Sequence, residues 1–166
     1  MAHDLVVRTD AMDPDYMSQL YDQVDINSVF GGSRTIVSSP YGDRPSLGDW
    51  HEGIDVVHLG RGGTQWGDLI TYGKDLVVES IGRQAGYGNT FSASFKSSLM
   101  DIEGNAQLFF GHARAAQGLK VGDVVRAGER LGTLSNPGGL KPHLHLELRI
   151  NFSTGPVKVN PMMLFK

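Results

Sequence analysis

The residues His143-Leu144-His145-Leu146-Glu147-Leu148 alternate without a break between ionisable and apolar side chains. A period of two is the signature of a half-buried β-strand, with the leucines entering a core and two imidazoles and a carboxylate projecting together from the solvent side. Histidine is uncommon filler on a strand surface. Two rings at i and i+2 point into one space, which is how a strand offers ligands to a metal ion or bases for proton transfer. An H-x-H strand needs further donors before either chemistry is complete. Glu147, on the same face, suits orienting a ligand imidazole, and equally a solvated carboxylate or a structural salt bridge.

Further donors occur in two places. His51-Glu52-Gly53-Ile54-Asp55 sets a histidine and an aspartate four residues apart around a glycine. The run Ile54-Asp55-Val56-Val57 favours a loop entering a strand over a helix, with a turn at Gly53 converging the two side chains. His112 ends the apolar run Leu108-Phe109-Phe110. The chain has 6 histidines and no cysteine, so disulfides, thiolate sites and a cysteine nucleophile are excluded, and any metal must be held by His, Asp or Glu. His51, His112, His143 and His145 stand at ends or faces of predicted strands, and His58 is a secondary candidate to line the same site. His3 has no place in it. Glu52 is not assigned as a general base, because the helical H-E-x-x-H spacing is absent and position 55 is Asp.

Short strands must position these groups. Thr35–Ser38, Ile54–His58, Asp75–Gly82, Thr90–Phe95, Gln107–His112, Val124–Ala127, Arg130–Ser135 and His143–Ile150 are β-branched or apolar runs bounded by Gly, Pro, Asn and Asp. No long helical pattern intervenes, which predicts a mainly β domain with an antiparallel sheet, sandwich or partly closed barrel. The 22 glycines are spread along the 166 residues, as expected of many tight turns. Leu99 to Asn105 is predicted as a hairpin loop. Met17, Leu20, Tyr21 and Val24 follow a three-and-four spacing, so Asp13 to Phe30 is predicted as a short amphipathic helix. Residues 1–34 are therefore expected to form a partly helical N-terminal extension, suited to packing on the body or on a protein partner, with residues 35–166 as one domain. The net charge of −3 gives no footprint for nucleic acid, and no apolar run is long enough for membrane insertion. The N-terminus, Met1-Ala2-His3-Asp4, does not read as a signal peptide.

The motif order resembles the lysostaphin/LytM-type zinc endopeptidases over residues 36 to 166. The resemblance is carried by Ser39-Pro40-Tyr41-Gly42 with Arg44, His51-Glu52-Gly53-Ile54-Asp55, Gly86-Tyr87-Gly88-Asn89 and Phe110-Gly111-His112. It continues through Val121-Gly122, Ala127-Gly128 and Leu131-Gly132 to Pro142-His143-Leu144-His145-Leu146-Glu147 and Asn160-Pro161. It implies the duplicated-hybrid-like LytM peptidase core, one Zn2+ per chain held by His51, Asp55 and His145, and His112 and His143 as catalytic histidines. Spacing alone does not say which histidine of the H-x-H pair binds metal; that division comes from the resemblance. The implied activity is hydrolysis of cross-bridge or stem peptides in bacterial peptidoglycan by a metal-activated water, with His143 relaying its proton and His112 stabilising the oxyanion or protonating the leaving amine.

Arg44, Asn89 and Tyr41 belong to the matched motifs as candidates for substrate contact, with turn and scaffold roles the alternative. The implied location is extracellular, periplasmic, at the cell wall or in a phage virion. Two departures stand out: Phe110 precedes the single catalytic histidine where the family often has Tyr, leaving Tyr41 or Tyr87 to supply a hydroxyl, and a loop from Gly60 to Gly73, with Trp66, replaces a short turn. Two other readings carry less. A catalytically silent relative that binds wall or regulates another wall hydrolase would typically lack metal ligands, whereas every matched position is filled here. A biotin- or lipoate-carrying hammerhead would need a lysine at a hairpin tip, and none is present.

Overall fold

In a computed structural model, residues 5–6, 23–59, 69–96, 105–135, 141–152 and 155–166 are described. In chain order the strands are β1 (Leu5–Val6), β2 (Thr35–Ser39), β3 (Gly42–Arg44), β4 (Asp49–His51), β5 (Ile54–His58), β6 (Leu69–Ile70) and β7 (Leu76–Gln84). They continue with β8 (Gly88–Lys96), β9 (Asn105–Gly111), β10 (Ala113–Ala115), β11 (Val124–Val125), β12 (Gly132–Leu134), β13 (Leu144–Phe152) and β14 (Gly155–Val159). Short 3-10 turns cover Ile26–Phe30 and Pro161–Met163. The fold is mainly antiparallel β: among the described strand pairings only β1 with β14 is parallel.

The largest sheet runs β1-β14-β13-β9-β8-β7-β11, with β5 joining β13 and β2 joining β5. Strand β13 is its hub. One edge pairs with β9 from His145 to Ile150, and the other is shared between β5 at Leu144–Leu146 and β14 at Leu148–Phe152. A small sheet, β10-β12-β6, carries the chain away from His112, and a hairpin, β3-β4, leads into His51.

The alternation of β13 fixes its apolar face, where Leu144, Leu146 and Leu148 are fully buried beside Phe91 and Phe110, whose rings stack at 4.5 Å. Each buried leucine contributes about 1.5–3 kcal/mol, and a one-residue slip would forfeit all three. The opposite face departs from expectation. It is not solvated: His145 is 4% exposed and Glu147 0%. Tyr87 and Phe109 pack ring to ring with each other and with His145, and β5 lies alongside, so a chemistry-bearing face has become a second interior.

The predicted strands recur with shifted ends, Ile54–His58 without any shift. Strands β1, β3, β4, β6 and β10 hold two or three residues each, too few to display a period, and β14 opens on Gly155-Pro156, which reads as a turn. Of the predicted helix, residues 13–22 and with them Met17, Leu20 and Tyr21 lie outside the described residues. Ile26–Phe30 is a single 3-10 turn, capped by the Asp25 carboxylate accepting from the Asn27 N–H at 2.9 Å and stopped by Gly31 in the left-handed region. Val24, Val29 and Phe30 nevertheless join the core, and Val24 bridges to Phe165. Most of the Leu99–Asn105 loop and residues 60–68, with Trp66, also lie outside the described residues.

Gly53 makes the approach of the His51 turn to β13 possible. A Cβ there would run into the Leu146 carbonyl oxygen and lie 3.0 Å from Glu147 Cγ, with backbone that cannot move aside. Gly53→Ala is expected to lower unfolding free energy by about 1–3 kcal/mol, read as an earlier urea midpoint with unchanged slope.

Candidate metal centre

The centre follows from strand register. His145 on β13 and Asp55 on β5 are direct cross-strand partners, so their side chains leave the same face side by side. His51 ends β4, and the turn through Glu52-Gly53 returns the chain into β5, folding His51 over Asp55. Three atoms meet there: His51 Nε2 to His145 Nδ1 is 3.2 Å, His145 Nδ1 to Asp55 Oδ1 is 3.1 Å and His51 Nε2 to Asp55 Oδ1 is 3.3 Å. No other group of three or more metal-ligating side chains occurs among the described residues.

The outer ring nitrogens fix what the inner ones can do. His51 Nδ1 lies 2.9 Å from the Pro40 carbonyl oxygen, which only accepts, so this nitrogen carries the proton. His145 Nε2 lies 2.8 Å from Glu147 Oε2. Burial pushes the Glu147 carboxyl up, but the His145 hydrogen bond and the nearby Arg149, His145 and Lys158 charges prevail and hold it at about 2. An ionised carboxylate accepts, so His145 Nε2 donates. His51 Nε2 and His145 Nδ1 are then bare lone pairs facing each other and a carboxylate oxygen, an arrangement that only a proton or a cation relieves. For Asp55 too, burial acts upward, and it is outweighed by His145 and His51 when a proton sits on their inner nitrogens, which holds its carboxyl well below the usual range in the metal-free site. For His145 burial acts downward, and the hydrogen bonds to Asp55 and Glu147 reverse it, so the metal-free imidazole binds its proton more tightly than usual. Two imidazoles and one carboxylate are a donor set that suits zinc.

His112 and His143 form a second pair beside this triangle, their rings 4.7 Å apart. His112 directly follows β9 and is the single non-glycine residue at positive φ, 55°, among the described residues. That backbone costs about 1–3 kcal/mol. Its N–H donates to the Tyr87 carbonyl at 3.0 Å and its own carbonyl accepts from the Ser135 N–H at 2.9 Å, so the conformation is held from both sides. The ring's Nδ1 is buried without a hydrogen-bond partner. Burial, then the neighbouring His143 and His145, push its pKa down to about 4, so it is neutral at neutral pH. His143 Nδ1 donates to the Lys141 carbonyl at 2.9 Å, which leaves Nε2 as the basic nitrogen.

Tyr87 ties the two groups together. It sits in the turn between β7 and β8, stacks on His145 at 4.7 Å and 24°, meets His112 edge-on at 5.8 Å and packs on Gly111, where a Cβ would come within 3.0 Å of its ring. Its hydroxyl points to Glu147 Oε2 at 3.4 Å.

Other sequence candidates fall elsewhere. Arg44 grips Asp49 with two bonds of 2.7 and 2.8 Å and reaches His51 only through Ser39, at 3.3 and then 3.4 Å. Asn89 accepts from Arg83 at 3.1 Å across β7 and β8. Tyr41 is a core residue, its ring edge-on to Trp50 and its hydroxyl 3.5 Å from the Lys158 carbonyl. His58 faces Phe30 on the core side of β5, two residues from Val56 and out of phase with Asp55. Sequence reasoning missed Pro40 as a partner of His51, and Arg149 and Lys158 around Glu147. Arg149 was findable, since it continues the His143, His145, Glu147 alternation; Lys158 comes from β14 and has no local signal.

No family model and no curated protein sequence matches the chain. Solved structures do. The catalytic domain of the prophage-encoded M23 protein EnpA from Enterococcus faecalis is 31% identical with a TM-score of 0.57, over 78% of this chain and 91% of that one. Helicobacter pylori Csd3 is 27% identical with a TM-score of 0.57 over 79% of this chain, which spans only 32% of Csd3. The catalytic domain of the antimicrobial peptidase lysostaphin from Staphylococcus simulans, 22% identical with a TM-score of 0.54 over 80% of this chain and 92% of that one, shares the fold.

Because the Glu147 carboxyl titrates at about 2 in the folded chain against about 4.5 when exposed, its stabilising contribution is complete above pH 4.5 and is lost as pH falls towards 2. Glu147→Gln is expected to flatten the fall of stability across that window, followed by urea unfolding at stepped pH.

Proposed function

The chain belongs to the M23 family of lysostaphin/LytM-type peptidases, and on that premise we propose that it is a zinc-dependent endopeptidase that hydrolyses peptide bonds of bacterial cell-wall peptidoglycan. The observation that carries this reading is the triangle of His51 Nε2, Asp55 Oδ1 and His145 Nδ1, with both outer ring nitrogens already committed as donors. A zinc ion held there acidifies water and polarises a peptide carbonyl.

The chain's own groups do the rest. His143 Nε2, left free by the bond to Lys141, takes the proton of the attacking water and returns it to the leaving amine. His112, neutral because it is buried, offers a ring N–H to the carbonyl oxygen as negative charge builds there. Its left-handed backbone sets the ring beside His143 before substrate arrives, so this ordering is not part of the barrier. Residues 35–166 are the peptidase unit in this reading, and residues 1–34 an extension available to a protein partner. The substrate is a cross-bridge or stem peptide, met at the wall from an extracellular, periplasmic or virion setting.

The division of labour between the H-x-H histidines is tested by substitution. His145→Ala is expected to lose zinc and activity together, while His143→Ala keeps zinc and loses about 10²–10⁴-fold in turnover. Elemental analysis beside release of soluble fragments from purified peptidoglycan separates the two; equal loss of zinc in both variants would refute the assignment.

A further inference from the structure

Glu147 is a carboxylate at 0% exposure in the middle of the hub strand, a position where stability alone does not call for a charge. An apolar side chain of similar volume, replacing the ion pairs as well, is often as stable or more so. Its two oxygens are divided. Oε2 receives the His145 Nε2–H at 2.8 Å and the Tyr87 hydroxyl at 3.4 Å. Oε1 receives Arg149 through Nη2 at 2.8 Å and Nε at 3.1 Å, with Lys158 Nζ at 3.4 Å.

The two cations are held in turn. Arg149 lies over the Phe109 ring at 4.4 Å, and Lys158 bonds Glu52 at 2.6 Å. Lys158 and Arg149 are direct cross-strand partners on β14 and β13, a pairing of like charges that is unfavourable unless a carboxylate lies between them. Glu52 is the residue after His51. The chain Glu52–Lys158–Glu147 thus connects the turn that carries one ligand to the strand that carries another, at the place where Gly53 packs on Leu146 and Glu147.

We infer that Glu147 is a positioning residue for the metal centre, fixing the ring of His145 with Nδ1 inward, and that Lys158 holds Glu147 and the His51 turn in register for it. The inference rests on the metal reading above. A merely structural ion pair would need Oε1 and its two cations; it would not need Oε2 aimed at His145. Tyr87 supports the same ring from its face, so His145 is held along an edge by a hydrogen bond and across a face by a stack.

Zinc affinity, measured by competition with a chromogenic chelator, tests it together with nitrogen NMR of the His145 ring at pH 9. Glu147→Gln keeps an acceptor and drops the charge; Glu147→Met removes both. Affinity is expected to fall about tenfold in the first and about 100-fold in the second, and several-fold in Lys158→Met. The metal-free wild-type ring is expected to carry its proton on Nε2, and the Met variant to lose that preference. A folded Glu147→Met chain that binds zinc as tightly as wild type and keeps its proton on Nε2 overturns the inference. Should that variant not fold, unchanged affinity in both Glu147→Gln and Lys158→Met overturns it equally. A wild-type chain that takes up no zinc overturns the metal reading itself, a different result from variants that match a zinc-binding wild type.

Discussion

The direct pairing of His145 with Asp55 across β13 and β5 is the constraint from which the rest of the site follows. Side chains that face each other across an antiparallel pair have no choice of neighbour, and the three buried leucines on the other face of β13 forbid a slip of register. Once that pair is set, His51 needs only to be folded over it, and Gly53 permits the turn that does so. The triangle is therefore written into sheet geometry, while loop conformation enters at the Glu52-Gly53 turn and at His112, His143 and Tyr87.

A buried polar face is costly unless each group is satisfied, and the satisfaction is where the chemistry is decided. Pro40 and Glu147 occupy the outer nitrogens of the His51 and His145 rings, so in the neutral rings the inner nitrogens are left with lone pairs. Lys141 does the same for His143. In all three cases a carbonyl or carboxylate chooses the tautomer, and the choice leaves the other ring nitrogen with its lone pair. His112 differs: its ring is placed by a strained backbone, and its neutrality follows from burial beside other imidazoles.

Much of the strand layout is legible in the sequence. The H-x-H alternation located β13, the glycine between His51 and Asp55 located the turn, and apolar runs located the long strands. The burial of the polar face was not legible, because a period of two says which residues share a face and nothing about what covers it. Lys158 was invisible because its partners Glu52 and Glu147 are 106 and 11 positions away in sequence, Glu147 reached through the register of β13 with β14 and Glu52 through the pairing of β5 with β13. Tyr41, offered by its motif as a substrate contact or a scaffold residue, has its ring in the core against Trp50. Tyr87 was weighed as a hydroxyl donor, whereas its ring also stacks on His145.

The most direct measurement is the zinc content of the purified protein, taken beside the appearance of new amino termini in purified peptidoglycan. About one zinc per chain, with release that stops on chelation and resumes when zinc is restored, is the result this account predicts. Release that continues undiminished in a metal-free chain would contradict it.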